Sequence, residues 1–326
     1  MERMRVSRVA AAIAAGWLIA WPRGEASAQT TPPATLAPPA DATAGADAAL
    51  ALGIAGTRMT VPVTIAGRGP WPFVIDTGAE RSVVSRQLAE RLGLAAGPPL
   101  RVLAMTGQKV VASVLVPALA VSRVGATSVV APRLEEEDIG AAGLLGIDTL
   151  QGHRVDLDFV KGSMSVQPSR RHPVSAGTRG DEIVVVARSQ FGQLIVTDAR
   201  WRGRRIAVVI DTGSAMSVGN PALQRLLAKH GRPLGPVVAW SVTGASLEAQ
   251  AFAVGDLSFG GVRINQLPIA FADAAPFGRF GLERRPAIML GMDTLRLFRR
   301  VRIDFANRAI EFHLPPGVLD DGAPAA

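Results

Sequence analysis

The sequence predicts a mostly β chain made of two copies of one fold unit, with only a few helical turns in each copy. Three observations predict it. From about Ala49 the 326-residue chain reads as short, β-branched, alternating segments with turns between them. An apolar run ending in Asp-Thr-Gly occurs twice, as "FVIDTGA" (Phe73 to Ala79) and "AVVIDTGS" (Ala207 to Ser214). The motifs after each copy keep one order at nearly one spacing, the mark of an internal repeat.

The chain divides as follows. Residues 1–28 read as a secretory signal, with a basic start "MERMRVSR", an apolar run from Val9 to Trp21 and the small residues "ASA" ending at Ala28. The run is shorter than the ~20 residues of a spanning helix. Cleavage after Ala28 is expected, giving an exported chain, periplasmic or secreted, without stable membrane insertion. Residues 29–48 have the Pro, Ala and Thr content of a linker. An N-terminal lobe is expected over 49–167, a polar inter-lobe linker over 168–181, a C-terminal lobe over 182–316 and a flexible tail over 317–326.

Within each lobe a β-hairpin delivers the aspartate: "MTVPVTIAGRGPWPFVI" in the first, "LIVTDARWRGRRIAVVI" in the second. Asp76 and Asp211 are 135 residues apart, and Ser82-Val83 and Ser217-Val218 keep that offset. Ser85 and Asn220 keep it too, each a good N-cap for the helical pattern behind it, and Pro221 suits a first helical position. Thr106-Gly107 and Thr243-Gly244 mark the tip of a second hairpin. "GLLGIDTL" (Gly143 to Leu150) and "AIMLGMDTL" (Ala287 to Leu295) then supply an apolar strand ending in Gly and a short helical turn. Asp148 and Asp293 are expected to cap those turns. "RVDLDF" (Arg154 to Phe159) and "RVRIDF" (Arg300 to Phe305) close the copies, the offset having grown to 146.

Composition narrows the function. There is no cysteine, which excludes a thiol nucleophile, a disulfide framework and thiolate metal sites. His153, His172, His230 and His313 lack ligand spacing, so no metal site and no cofactor are expected. Neither Gly-x-Ser-x-Gly nor His-Glu-x-x-His occurs. The net charge is +8, and removing the four arginines and two glutamates of residues 1–28 leaves +6. The arginines are scattered with no aromatic-basic stripe, so no nucleic-acid partner is expected.

Two copies of one unit pack around a pseudo-two-fold axis, and a residue near that axis meets its repeat mate. Asp76 and Asp211 placed there would share one proton, because like charges so close cannot both ionise easily. One carboxylate would take a proton from water while the other gives one to a carbonyl oxygen. Thr77 and Thr212 can tie the two loops together, and Gly78 and Gly213 let the backbone approach closely. Ala79 and Ser214 differ between copies. A Ser214 hydroxyl donating to Asp211 would make Asp211 the more readily ionised member and leave the shared proton on Asp76.

These residues resemble the pepsin–retropepsin class of aspartic proteases. "DTGA" and "DTGS" after apolar strands, with the later "LLGIDTL" and "MLGMDTL", look most like the bacterial retroviral-type members. The resemblance covers roughly residues 50 to 315. It implies the acid-protease fold: two pseudo-symmetric, six-stranded-type β-barrel lobes with short helices and an active cleft between them. It implies Asp76 and Asp211 as the catalytic pair, supported by Thr77, Gly78, Thr212, Gly213 and Ser214. It also implies two flap hairpins over the cleft, with Met105, Thr106, Gly107, Trp240, Thr243 and Gly244 as substrate-side residues; the alternative is a plain turn in each hairpin. The chain departs from pepsins in having no tyrosine for a flap tip. Residues 29–57 hold no Lys or Arg, so no basic inhibitory prosegment is expected. The expected activity is an endopeptidase acting on protein or peptide substrates, a monomer working as an intramolecular pseudo-dimer. The rival is a catalytically silent peptide-binding module of the same fold.

Overall fold

The computed structural model describes residues 50–51, 53–55, 58–121, 124–227, 230–260, 262–264 and 267–316. The expected signal segment, Pro-rich linker and C-terminal tail from residue 317 lie outside the described residues.

The chain is mostly β, with short helices and two lobes. In each lobe the tight turn ahead of the aspartate strand has two residues of positive φ, Ala66 and Gly67 in the first lobe and Arg202 and Gly203 in the second. That geometry suits the right-handed twist of tight hairpins. The returning strands Arg68–Ile75 and Ala207–Ile210 carry the chain to the two aspartates.

The apolar strand ending in glycine explains where those aspartates stop. Gly143–Leu145 runs parallel to Arg68–Ile75 and antiparallel to Val83–Ser85, so it is gripped between the two strands flanking the Asp76 loop. Ala287–Leu290 is gripped in the same way between Ala207–Ile210 and Val218–Gly219. Such central strands are buried on both faces and read as continuous apolar runs. The Asp76 N–H donates to Leu145 O (2.9 Å) and the Asp211 N–H to Leu290 O (3.0 Å). Gly146 and Gly291 follow, and only glycine fits. A Cβ would lie 2.4 Å from the Arg81 carbonyl carbon in one lobe and 2.4 Å from Met216 O in the other.

The helices after the loops are capped as the sequence suggests. Ser85 Oγ accepts from the Leu88 N–H at the head of Arg86–Leu92, and Asn220 Oδ1 accepts from the Leu223 N–H at the head of Pro221–Leu227. Each lobe's main sheet has eight strands, beyond the six implied by resemblance, with the flap strand Ala96–Ala104 or Arg232–Trp240 at one edge.

A seven-stranded sheet joins the lobes. At its centre His153–Asp158 of the first copy pairs antiparallel with Arg300–Asp304 of the second. The closing motifs "RVDLDF" and "RVRIDF" therefore meet each other. Their third positions, Asp156 and Arg302, are directly opposed, with Arg302 Nε 3.3 Å from Asp156 Oδ2, and Arg300 lies 3.4 Å from Asp158. One repeated motif has become a complementary pair of strands, and opposite charges facing each other stabilise such pairing. Within 168–181, expected as a linker, residues Gly177–Arg179 form a strand of this sheet. No helix among the described residues is long and apolar enough to cross a membrane.

Candidate active site

The two Asp-Thr-Gly loops meet across the lobe boundary. The Thr77 N–H donates to Thr212 Oγ1 and the Thr212 N–H donates to Thr77 Oγ1, both at 3.1 Å. The Thr77 hydroxyl donates to Ile210 O (2.9 Å) and the Thr212 hydroxyl to Ile75 O (2.8 Å). Both threonines are 2 % exposed. Four reciprocal bonds thus lock each loop to the strand end that carries the other aspartate. Each contributes about 1 kcal/mol net, and losing one partner of such a buried pair costs about 1–3 kcal/mol.

The glycines set the spacing of the carboxylates. A Cβ on Gly78 would lie 2.8 Å from Asp211 Oδ1, and one on Gly213 would lie 2.1 Å from Asp76 Cγ. Each aspartate side chain therefore packs on the bare α-carbon of the opposite loop, and the absence of a Cβ is what lets the pair converge.

Each carboxylate is cradled by its own loop. Asp76 Oδ1 accepts from the N–H groups of Gly78 and Ala79, both at 2.9 Å. Asp211 Oδ1 accepts from those of Gly213 and Ser214, both at 3.1 Å. Burial raises both carboxyls above the ordinary range. Asp211 is pushed up to about 7, by burial first and then by the negative charge of Asp76, against the Gly213 and Ser214 N–H bonds and the Arg58 charge. At Asp76 the rise from burial is opposed by the Gly78 N–H, Arg58 and the Ala79 N–H. Both carboxyls thus favour the protonated form more than a free carboxyl does, which suits a pair that holds a proton. The bond expected from Ser214 is not made: its hydroxyl donates to Met216 O (2.7 Å), and only its backbone N–H serves Asp211.

Asp148 and Asp293 differ from expectation too. The helix heads they were expected to cap have no side-chain cap bond. Asp148 Oδ1 instead accepts from the Ser82 N–H (2.9 Å) and hydroxyl (2.7 Å). Asp293 accepts from the Ser217 N–H (3.0 Å) and hydroxyl (2.7 Å). The Gly146 and Gly291 N–H groups donate to the same two serine oxygens. These aspartates brace the far end of each loop against the glycine crossing.

Of the flap residues, Met105 and Thr106 form the two-residue turn of the first hairpin, with Ala104 facing Gly107. Met105 packs on the second lobe's cluster, which holds Phe277, Phe280 and Leu282, and its carbonyl accepts from the Ala275 N–H (3.0 Å). Thr106 is exposed. The second flap has a five-residue loop, closed by Ser241 N–H to Ala245 O (2.8 Å), in which Gly244 takes φ 81°. Val242 packs on the first lobe's cluster around Val74, Ile139 and Leu144, and a Cβ on Gly244 would lie 2.9 Å from Asp138 Oδ2. Thr243 Oγ1 pairs with Ser241 Oγ (3.1 Å). Each tip rests on the opposite lobe. Trp240 is 68 % exposed and stands apart from these contacts.

Two residues at the site escaped the sequence reading. Arg58 Nη2 donates to Ile139 O, and its positive charge acts on both aspartates. Gln193, 2 % exposed, donates from Nε2 to Gly78 O (3.1 Å). They are 135 residues apart, the offset of the aspartates, but their unlike chemistry hides the correspondence.

Two β lobes around paired Asp-Thr-Gly loops define the class of two-lobed aspartic peptidases. A family model for aspartyl proteases matches the chain twice, over residues 61–149 and 197–294. The chain belongs to the aspartyl protease family. A comparison with curated proteins finds no match.

Proposed function

We propose that this chain is an aspartic endopeptidase whose catalytic pair is Asp76 and Asp211. The reciprocal threonine bonds carry this reading, because they bind the two loops into one unit across the pseudo-two-fold axis. Ionised Asp76 takes a proton from water, whose oxygen attacks the peptide carbonyl carbon. Asp211 gives its proton to the carbonyl oxygen, forming a tetrahedral diol. Asp76 then passes its proton to the amide nitrogen, the C–N bond breaks, and the diol returns a proton to Asp211. One proton remains on the pair after the cycle.

The substrate in this reading is an unfolded or extended peptide. The flap strands are sheet edges, and an added strand presents its carbonyl groups in regular array. Export to the envelope is part of the proposal, on the strength of residues 1–28, and N-terminal sequencing of the exported chain is expected to begin at Gln29.

The test is incubation with an unfolded protein, with and without a statine-type transition-state mimic, followed by mass mapping. Discrete fragments that vanish with the mimic are expected. Binding of the mimic without fragments would instead make the chain a peptide-binding module.

A further inference from the structure

The strands that lead into the two aspartate strands set unlike side chains opposite the two carboxylates. In the first lobe Arg58–Ile65 pairs antiparallel with Arg68–Ile75, Thr60 facing Val74. Continuing that register by two residues brings Arg58 opposite Asp76. In the second lobe Ile195 faces Val209, and the same two-residue step brings Gln193 opposite Asp211. Opposed residues of an antiparallel pair share a face, with β-carbons about 4.5–5.5 Å apart. A pair of loops alike in their hydrogen bonds is therefore flanked by a cation on one side and a neutral amide on the other.

We propose that Arg58 is a positioning residue that assigns the negative charge of the pair to Asp76 and leaves the shared proton on Asp211. The inference rests on the reading of this pair as the acid–base machinery and adds which member plays which part, and why.

Arg58 is fixed in place. It donates to the carbonyl of Ile139, the last residue of the short helix Glu136–Ile139, and the next residue, Gly140, leaves room for it. A Cβ on Gly140 would lie 2.8 Å from Arg58 Nη2. Gln193 is fixed as well, by its bond to Gly78 O, but it brings no charge, and its buried Oε1 has no donor among the described residues. The Arg58 charge acts on both carboxylates, and the strand register sets it opposite Asp76. Asp138 of that acidic helix, packed near the second flap tip, is raised by burial first and then by Glu137 and Glu135, against Lys109.

The consequence is directional. With Asp76 ionised by its neighbour, water activation falls to the first lobe and carbonyl protonation to the second. The acid limb of kcat/KM then reports Asp76, and the alkaline limb reports Asp211.

The experiment is the pH dependence of kcat/KM on an internally quenched peptide, with the full chain. Arg58→Gln removes the cation, so the acid limb moves up by about 1 pH unit. That is a roughly 10-fold loss of kcat/KM on the acid side. Arg58→Lys restores the parent limb, which a purely structural role for the guanidinium fork would not do. Gln193→Arg adds a cation opposite Asp211 and moves the alkaline limb down. An unmoved acid limb in folded Arg58→Gln, or a limb that Lys moves as far as Gln does, overturns the assignment. Should Arg58→Gln not fold, an unmoved alkaline limb in Gln193→Arg overturns it. Should neither fold, carbon-13 titration of the parent's carboxyls decides, and the lower apparent value on Asp211 overturns it. A parent chain that cleaves nothing sinks the functional reading instead.

Discussion

The aspartate loops and the flap hairpins belong to the same repeated unit, yet they have diverged to different degrees. The loops match in their cradles, crossings and braces. Carboxylate cradles at 2.9 Å answer cradles at 3.1 Å, threonine crossings at 3.1 Å answer each other, and serine–aspartate braces differ by no more than 0.1 Å. The flaps share only their outcome. One has a two-residue turn and hangs on the opposite lobe by the Met105 carbonyl; the other has a five-residue loop and leans on it through Val242. Near the axis each loop is the template of the other, and a shift in one breaks bonds in both. A flap has only to reach across, and many turns can do that.

The comparison breaks most severely at the carboxylates. Asp76→Asn and Asp211→Asn are each expected to lower kcat roughly 10³-fold or more while leaving circular dichroism unchanged, since groups acting as a unit fail as a unit. A folded single variant with appreciable turnover would separate the two loops functionally.

Symmetry of the threonine bonds is the next point of attack. Thr77→Val and Thr212→Val each leave buried partners unpaired, and equal losses of about 1–3 kcal/mol are expected in denaturant unfolding. The double variant should cost less than the sum, because the two share bonds. Unequal singles, or strict additivity, would mean that the crossing is not reciprocal in solution.

The repeat made much of this legible beforehand. Asp76, Asp211 and their Thr-Gly neighbours stand at one offset, and Gly146 and Gly291 mark where a backbone crosses too closely for any side chain. What stayed hidden depends on pairing register or on unlike residues. Arg58 and Gln193 share the offset but not their chemistry. The meeting of "RVDLDF" with "RVRIDF" in one sheet is a contact between copies, which a repeat cannot announce. The Ser214 hydroxyl was misjudged because its choice between Asp211 and Met216 O is set by local loop geometry.

The pH response probes the asymmetry inside the otherwise matched loops. The proposed mechanism needs Asp211 protonated, so activity is expected to fall as pH rises past about 7. Stability carries the same sign. Asp211's folded value lies above the ordinary 3.8 of an aspartate, so the folded chain holds a proton that the unfolded chain releases. Stability therefore declines as pH rises from about 4 to about 7. Asp211→Asn removes this penalty and should melt at least ~2 °C above the parent at pH 8, with the difference closing toward pH 4. A variant that melts lower at pH 8 would contradict the raised value.

The smallest effect belongs to the one chemical difference between the motifs. Ser214→Ala is expected to leave both limbs of the pH–activity profile within about 0.2 pH unit of the parent, because the backbone N–H bond to Asp211 survives. A clear upward shift of either limb would restore the hydroxyl as a partner of the dyad.

The central claim is that the two lobes of one chain complete one site, and mixing tests it most directly. Asp76→Asn and Asp211→Asn chains, each inactive, are combined in equal amounts and assayed across a wide concentration range. No recovery is expected at any concentration, since every chain carries its own damaged pair. Activity that returns on mixing and grows with concentration would show that Asp76 of one chain works with Asp211 of another.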